Sequence, residues 1–320
     1  MKLDLIIQSG DMIYYPILAE GVTLDLSRKG SPGKLTFSVV MDGELSFEEG
    51  DAVKLTVDDT DIFYGFVFVK SRSGQNSSVV DVTAYDQLRY FKNKETYTYT
   101  NKTATEVVKM VAEDFALNVG ELDDTGYKIE SQTEDDAALF DIVQNALDET
   151  LTHEKKIYIL YDDVGKLTLK NVENMKLNLL IDVDTIGNYT YTSSIDSQTY
   201  NQIKITYANS DSGKREVYIA KDSAHINKWG LLQYTDTVES AASGAQKANA
   251  LLELYNQKTR NLSISDQLGD VRVRAGSSLI VKLDLGDISI QSYMLVENVT
   301  HHFKHEQHLM DLKLRGGTFV

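Results

Sequence analysis

The 320-residue sequence contains no cysteine, which excludes a disulfide framework, thiolate metal sites and cysteine nucleophiles together. It also lacks any run of about 18 apolar residues, which argues against a membrane segment. Asp4 interrupts the only early apolar run, so the N-terminal segment does not resemble a secretory signal. We therefore expect assembly in the bacterial cytoplasm, and two or three hydrophobic cores for a chain of this length.

Positive charge is scarce relative to negative charge. The chain has 48 Asp and Glu against 32 Lys and Arg, a formal net charge of -16. A surface of this charge repels phosphate, so sequence-specific nucleic-acid binding is disfavoured. The same repulsion is compatible with a wall along which nucleic acid passes without sticking.

Several motifs with legible chemistry are missing. Lys follows Gly33, Gly165 and Gly213, but no Ser or Thr comes next, so there is no phosphate-binding loop. No G-x-G-x-x-G opens a helix, and neither G-x-S-x-G nor H-E-x-x-H occurs. These absences remove the most legible nucleotide-binding, esterase and zinc-protease signatures, and leave other catalytic arrangements open.

The first 95 residues alternate apolar and polar positions in short runs bounded by Gly, Asp and Ser. Such alternation is typical of half-buried antiparallel strands, and several strands at this spacing indicate a barrel or a sandwich. The apolar sets are Leu35, Phe37 and Val39, then Val53, Leu55 and Val57, and then Val80, Val82 and Ala84.

The period changes from two to 3.6 near residue 96, which predicts helices. Thr103 and Glu106 form a capping box, and we expect the helix that they begin to end near Leu117. A second helix is predicted over 134–151. A third, over 238–258, carries Ala241, Ala245, Ala248, Leu252 and Tyr255 at helical spacing, so we expect its alanine face to pack closely on a sheet.

Strand patterns fill the rest of the chain. Short strands are expected at 157–160 and 167–169, longer ones over 189–220 with Ile203, Ile205 and Tyr207 in alternation, and a run of strands over 261–320.

One internal similarity predicts a duplicated barrel. Phe66 begins an apolar run eleven residues after Leu55, and Met294 begins one eleven residues after Leu283. Each run leads to a strand with an acidic residue between apolar ones, Val80-Asp81-Val82 and Met310-Asp311-Leu312. The pattern predicts that the region from Gly50 to Gln87 repeats in that from Gly276 to Leu314, although two copies with β alternation also match by chance.

Four of the six histidines lie in one octapeptide, at His301, His302, His305 and His308. Imidazoles can share a metal ion, with Glu306 as an oxygen ligand. At a hairpin tip, however, His301 and His302 point to opposite faces and cannot join one mononuclear site. We predict a solvated hairpin with polar side chains and no metal ligand.

Three pairs of carboxylates are candidates for the acid and base of a hydrolase: Asp123 with Asp124, Asp135 with Asp136, and Asp182 with Asp184. Spacing in sequence fixes no separation in space, so surface or helix-capping roles are favoured. We therefore predict no catalytic residue.

Three segments together resemble the XkdQ-like family of prophage tail proteins, which is related to the baseplate hub of contractile-tailed phages. They are Gly50-Asp51 through Val80 to Gln87 with Tyr90, then Leu231-Leu232-Gln233-Tyr234-Thr235 before the alanine-rich helix, and Leu295 to His301 through His308 to Leu312. The resemblance extends over nearly the whole chain, and its specificity lies in the order and spacing of the segments.

The resemblance implies a mainly β protein with an α+β insertion: two tube-like β-barrel domains, each partly closed by a helix or loop, and a small α/β domain. By analogy the first barrel is built from 1–95 with 186–225, the inserted α/β domain from 96–185 and the second barrel from 226–320. It also implies a homotrimer that joins a sixfold tail tube protein to a threefold spike protein, in a virion or a tail-like particle.

No catalytic, cofactor-binding or metal-binding residue is carried over from the resemblance, because the family's role is mechanical. Two other functions stay open at this point: a tail-associated peptidoglycan hydrolase that uses a carboxylate pair, and a carbohydrate-binding module.

Overall fold

The structure is a computed structural model that describes residues 1–72, 74, 78–182, 188–196, 198–209, 214–238, 241–284 and 289–316. It is mainly β, as the sequence predicts. The strands are β1 (Leu3–Ser9), β2 (Met12–Tyr14), β3 (Val22–Ser27), β4 (Lys34–Val40), β5 (Ala52–Val57), β6 (Thr60–Ser71), β7 (Val79–Tyr85), β8 (Lys94–Thr103), β9 (Val119–Leu122), β10 (Lys128–Ala138), β11 (Tyr158–Asp162), β12 (Leu167–Asn171), β13 (Lys176–Asp182), β14 (Tyr189–Ser194), β15 (Gln202–Asn209), β16 (Lys214–Lys221), β17 (Gln233–Val238), β18 (Thr259–Leu268), β19 (Ser278–Asp284), β20 (Ser289–Lys304) and β21 (Gln307–Gly316).

Within these described ranges, four α-helices accompany the strands: α1 (Ala104–Asp114), α2 (Leu139–Glu154), α3 (Ser223–Trp229) and α4 (Ala241–Tyr255). Two short 3-10 helices follow β7 and β12, at Gln87–Lys92 and Val172–Met175.

The largest sheet consists of two sets of six strands with the same order. The first β unit runs β1-β5-β6-β7-β4-β3, with β2 paired outside β1, and the second β unit runs β13-β19-β20-β21-β18-β14. Pairing is antiparallel throughout both units except between β13 and β19, which are parallel. The prediction of an internal repeat therefore has a counterpart in strand order.

The two units also agree in register. Each has one row of Cα partners across four strands, and one residue bulges out beside the end of that row, Phe68 in β6 and Glu297 in β20. A bulge at the same place pins the register of both units. The rows are Leu24, Leu35, Ala84 and Val67 in the first unit, and Tyr191, Leu262, Leu314 and Val296 in the second.

A glycine with positive φ leads into β5 and β19 alike. Gly50 has a φ of 100° and Gly276 a φ of 95°, which only glycine adopts readily. Each glycine N–H donates to the residue beside the bulge, whose own N–H donates to the residue after the glycine. The bonds are Gly50 N to Val67 O at 2.8 Å, Val67 N to Asp51 O at 2.9 Å, Gly276 N to Val296 O at 2.8 Å and Val296 N to Ser277 O at 2.8 Å.

The residue equivalence expected from the sequence needs one correction. Because Gly50 corresponds to Gly276, Leu55 corresponds to Val281 and not to Leu283. The eleven-residue spacing after Leu55 and Leu283 was therefore a two-residue slip, which keeps every side chain on its face. The repeat is therefore supported by the shared strand order, bulge and glycine turn, and not by the eleven-residue spacing. Asp81 and Asp311 do correspond, since they pair with Ser71 and Thr300.

Each β unit has its own apolar core. The predicted sets around Leu35, Leu55 and Val82 are all buried in the first, and the second buries Ile264, Leu279 and Val281 among others. The pairings among the described residues form an open path from β14 to β2, with β13 on a branch, and do not close a barrel.

The first insert, residues 87–175, separates the two β units. In it β8 pairs with β10, β12 lies between β11 and β9, and α1 and α2 cover the core. The predicted capping box is confirmed, because Thr103 Oγ1 accepts from Glu106 N at 3.2 Å and Glu106 Oε2 accepts from Thr103 N at 2.7 Å. The helix predicted over 134–151 instead begins at Leu139, because 134–138 extend β10 beside β8.

The second insert, residues 202–255, interrupts the second β unit between β14 and β18. In it β15 pairs with β16 and β17, and α4 packs on this small sheet. The expectation that 186–225 return to the first barrel is wrong for the described strands, because β14 pairs with β18. Ala248, Leu252 and Tyr255 of the predicted helix face pack in the core of this insert, whereas Ala245 is exposed, contrary to the prediction.

Candidate functional site: the junctions of the two β units

Strand β20 joins the two units into one sheet. Its first half pairs with β19 and its second half with β3, where Asn298 lies opposite Ser27 and Phe303 opposite Val22. Phe303 is 1% exposed and packs in the core of the first unit. The length of β20, 16 residues, is what lets one strand serve both units.

An ion cluster closes this junction at the bulge. The Arg28 guanidinium donates to both carboxylate oxygens of Glu297, at 2.7 and 3.0 Å, and Arg315 Nε lies 3.0 Å from Glu297 Oε1. Two cations thus share one carboxylate. Burial lowers the pKa of Arg315, and attraction to Glu297 offsets part of that effect.

A cavity of about 400 Å³ opens beside the cluster, between the sheet and helices α2 and α4. Lys29, another lining residue, lies 3.5 Å from Asp148 on α2, and burial lowers the pKa of its ammonium group. The cavity therefore places basic groups where both inserts meet the junction.

A second buried cluster links the first β unit, the first insert and the second β unit. Asp86 accepts from Gly33 N at 2.8 Å and Leu88 N at 3.0 Å. Gln87 donates to Asp162 Oδ2 at 2.8 Å, and Asp162 Oδ1 accepts from Gly165 N at 2.7 Å.

Arg274 completes this cluster from the second β unit. Its Nη2 donates to the backbone oxygen of Asp162 at 2.8 Å, and its guanidinium lies 3.6 Å from the centre of the Tyr161 ring. Burial, and then repulsion by Asp162, raises the pKa of Asp86 well above its usual range. Burial likewise raises the pKa of Asp162, and Arg274 opposes both shifts. The cluster holds three parts of the chain in one arrangement.

The hairpin of β20 and β21 that carries the clustered histidines lies at the end of the junction between β3 and β20. As expected, His301 and His302 face opposite sides: His301 is 2% exposed, and His302 Nε2 lies 3.1 Å from Asp311 Oδ2. His301 is not solvated, however. Its Nε2 donates to Val273 O at 2.9 Å, so its Nδ1 accepts from His308 Nε2 at 2.9 Å.

Burial, and then the charge of His308, lowers the pKa of His301 to about 4. Burial also lowers the pKa of His308. His305 and Glu306 form the hairpin tip with φ of 51° and 61°. Within the described ranges, no three His, Asp or Glu side chains converge as metal ligands do. That no metal binds stays a prediction.

The carboxylate pairs lie apart from these junctions. Asp123 accepts from Asn171 N at the end of β12, and Asp124 accepts from Gly126 N within one turn, both at 2.9 Å. Asp135 and Asp136 lie exposed on β10, where Asp136 binds Lys94 at 2.9 Å. Asp182 binds Lys282 at 2.8 Å. Asp184 lies outside the described residues.

Sequence reasoning did not find Arg274, Asp162 or Glu297. Asp86 and Gln87 were marked by the family resemblance, but their partners lie far along the chain, and no local pattern identifies them. Glu297 lay within the segment from Leu295 to His301 that carries the resemblance, but nothing in that segment marked its ion pairs.

The fold is that of phage tail proteins. A tail protein from Neisseria meningitidis matches with a TM-score of 0.71 at 11% identity, over 100% of this chain and 98% of that one. The prophage MuSo2 43 kDa tail protein from Shewanella oneidensis gives 0.69 at 13% identity, over 97% and 98%. The described residues contain no helix long and apolar enough to cross a membrane.

The chain belongs to the YqbQ-like family, whose model matches residues 22–315. It is 28% identical to protein YqbQ of Bacillus subtilis over 306 residues, 92% of this chain and 91% of that protein. It is 27% identical to the phage-like element PBSX protein XkdQ of the same organism over 312 residues, 94% of each. The resemblance predicted from the sequence is confirmed.

Proposed function

We propose that this chain is a structural baseplate hub of a contractile phage tail or tail-like particle. Three copies would form an adapter ring between a sixfold tail tube and a threefold spike. The observation that carries the proposal is the repeat of one six-strand unit, with the same order, bulge and glycine turn, inside a chain that has the fold of tail proteins.

The repeat would resolve a mismatch between the threefold symmetry of a trimer and the sixfold symmetry of a tail tube. A closed trimer of single units presents three equivalent patches, whereas a sixfold tube presents six. Three chains with two units each present six similar patches on one side of the ring, and the ring as a whole keeps threefold symmetry for the spike. Each unit would then serve as one tube-like, partly closed barrel, with neighbouring copies completing it.

The proposed division into domains follows the strand pairing. The first barrel domain comprises residues 1–86 and the α/β domain residues 87–175. The second barrel domain comprises 176–196 with 259–316, and the second insert is attached to it. Three separate cores, in the first unit, the first insert and the second unit, support this division.

Partners follow from the role. The tail tube protein and the spike protein are the proposed partners, with no sequence-specific nucleic acid because of the net charge of -16. Assembly would take place in the bacterial cytoplasm before incorporation into the particle. The role requires no catalysis, and the carboxylate pairs engage turns and lysines, which favours neither hydrolase nor carbohydrate binding.

Electron microscopy of assembled particles with this subunit labelled tests the proposal. We expect three copies at the junction of tube and spike. Six copies, or a position along the tube, would contradict it. Purified chain should leave the turbidity of cell-wall suspensions unchanged, and clearing of the suspension would favour the hydrolase.

A further inference from the structure

Among the described strands the contact between β3 and β20 exists once, although each of the two strands has a copy in the other unit. Strand β3 of the first unit occupies the place that β14 has in the second, and β6 of the first unit occupies the place of β20. The row that joins Leu24 to Val67 in one unit joins Tyr191 to Val296 in the other. Strand β14 is therefore the copy of β3, and the end of β6 is the copy of the β20 segment that β3 binds.

We propose that β14 of one chain pairs antiparallel with residues 69–72, the end of β6 and the residue after it, in a second copy of this chain. This contact would repeat between chains the junction that β3 and β20 make within one chain. This contact names the surfaces that would build the proposed ring. That the ring closes at three chains rests on the proposed function.

Both edges are open in the described part of the chain. Strand β14 pairs with β18 on one side, and no described strand pairs with its other side. The pairing of β5 with β6 ends at Phe66, and the turn at Gly50 and Asp51 covers Val67. From Val69 to Ser71, β6 pairs with β7 on one side, and no described strand pairs with its other side. Val69 is 49% exposed and Tyr189 37% exposed.

The composition of β14 is unusual for an edge strand that stays unpaired. Its sequence, Tyr-Thr-Tyr-Thr-Ser-Ser, has high β propensity and neither charge nor proline. Proteins protect free edges with charged residues and proline, because an edge presents unpaired N–H and C=O groups to other chains. The edge strand β16 of the second insert has that protection, with Lys214, Arg215, Glu216 and Lys221.

The side chains that would meet are compatible at each position. Arg28 and Glu297, the ion pair beside the bulge, correspond to Ile195 and Phe68, which would form an apolar pair. Asp25 accepts from Thr300 at 2.8 Å, and its copy Thr192 would meet Ser71, another hydroxyl. Further partners are Val69 with Ser194, Lys70 with Ser193 and Arg72 with Tyr191. No pair brings two like charges together.

The turn beside the β6 edge is placed like the turn beside the β3 binding site on β20. The turn that precedes β19 lies beside β20 where β3 binds, and Val273 O in it accepts from His301. The equivalent turn before β5 lies beside β6 in the same way, where Phe47 O accepts from Lys70 Nζ. Since β3 binds next to the first of these turns, β14 can bind next to the second.

The chain has no cysteine, so single cysteines report the contact cleanly. Chains with Val69→Cys are mixed with chains with Ser194→Cys, oxidised, and analysed by mass spectrometry without reductant. We expect disulfides between unlike chains, in excess over those between like chains, because the contact is head-to-tail. The matched control replaces Ser194→Cys with Ser193→Cys, whose side chain points to the other face, and should lose the excess.

A positive control sets the geometry. Ser27→Cys with Asn298→Cys in one chain should close a disulfide within that chain, since these are Cα partners at the existing junction. A Val69–Ser194 yield no higher than the Val69–Ser193 yield overturns the contact.

The number of hub copies in particles and the mass of the cross-linked products together distinguish a failure of this contact from a failure of the proposed function. Particles with three hub copies but no Val69–Ser194 disulfide overturn the contact and leave the hub role standing. A double variant that carries both cysteines should form covalent products that end at three chains. Longer ladders would support the contact and contradict a ring of three.

Discussion

The two β units share backbone geometry and differ in surface chemistry. The turn before the glycine is closed in both by the same bonds, with Asp51 N to Glu48 O at 3.2 Å and Ser277 N to Arg274 O at 3.0 Å. Yet Glu48 is exposed, and its copy Arg274 reaches into the cluster with Asp162. The difference teaches that a repeat preserves turns, bulges and register, while side chains on that frame take up separate tasks.

The largest expected effect tests this divergence at the turn. Arg274→Ala removes a cation from beside two buried carboxylates, and we expect a loss of about 3 kcal/mol in the free energy of unfolding. The value lies at the low end for buried pairs because 24% of the side chain is exposed. Urea denaturation measures it.

The matched variant is Glu48→Ala, at the equivalent position of the first unit. It should change stability by less than about 0.5 kcal/mol, as surface substitutions do. Equal losses in the two variants would mean that the turn itself, and not the cluster, holds the units together.

The next effect concerns His301, whose copy in the first unit is Arg72. The pKa of His301 is about 4 in the folded chain and about 6.5 in an unfolded one, so only the unfolded chain takes up this proton between those values. The free energy of unfolding should therefore fall by about 3 kcal/mol as the pH drops from 6.5 to 4.

His301→Gln keeps a donor for Val273 O and does not titrate. Its stability should fall less than that of the wild type over the same pH interval, whereas Arg72→Gln should follow the wild type. Parallel pH profiles for the wild type and His301→Gln would show that His301 is not held neutral.

A smaller effect compares the two glycines. Alanine at Gly50 or Gly276 meets the same positive φ, a strain of about 1–3 kcal/mol. A Cβ at Gly50 meets open space, but one at Gly276 lies 2.8 Å from Ile159 Cγ2 in the first insert. We expect Gly276→Ala to lower the thermal midpoint more than Gly50→Ala. The reverse order would contradict the contact between second unit and insert.

The smallest effect concerns the second insert, which has no copy in the first unit. Ala245→Leu should change stability by less than about 0.5 kcal/mol because Ala245 is exposed. Ala248→Leu overfills a buried position and should cost about 1–3 kcal/mol. Equal thermal midpoints for the two variants would show that α4 does not pack on its sheet through this face.

The sequence predicted what depends on local pattern. Alternation identified the buried faces around Leu35 and Leu55, and the capping box located the start of α1. Alternation has a period of two, however, so it could not separate Val281 from Leu283 as the copy of Leu55, because both point to the core.

Features that depend on distant partners were not predictable in this way. The helix pattern over 134–138 was overridden by pairing of β10 with β8. Arg274 gave no signal, since Asp162 lies 112 residues away in sequence. The place of the second insert was missed because β14 and β18, which flank it, show the same alternation as their neighbours.

The pairing of β3 with β20 also sets the order in which the chain can fold during synthesis. Thr300 and Asp25 are 275 residues apart, so this contact closes only after Thr300 has left the ribosome. Until then the nascent first unit exposes β3 as a sheet edge, and closing so long a loop is slow. Asp25, in the middle of that strand, places a charge that discourages pairing with other nascent chains during the wait.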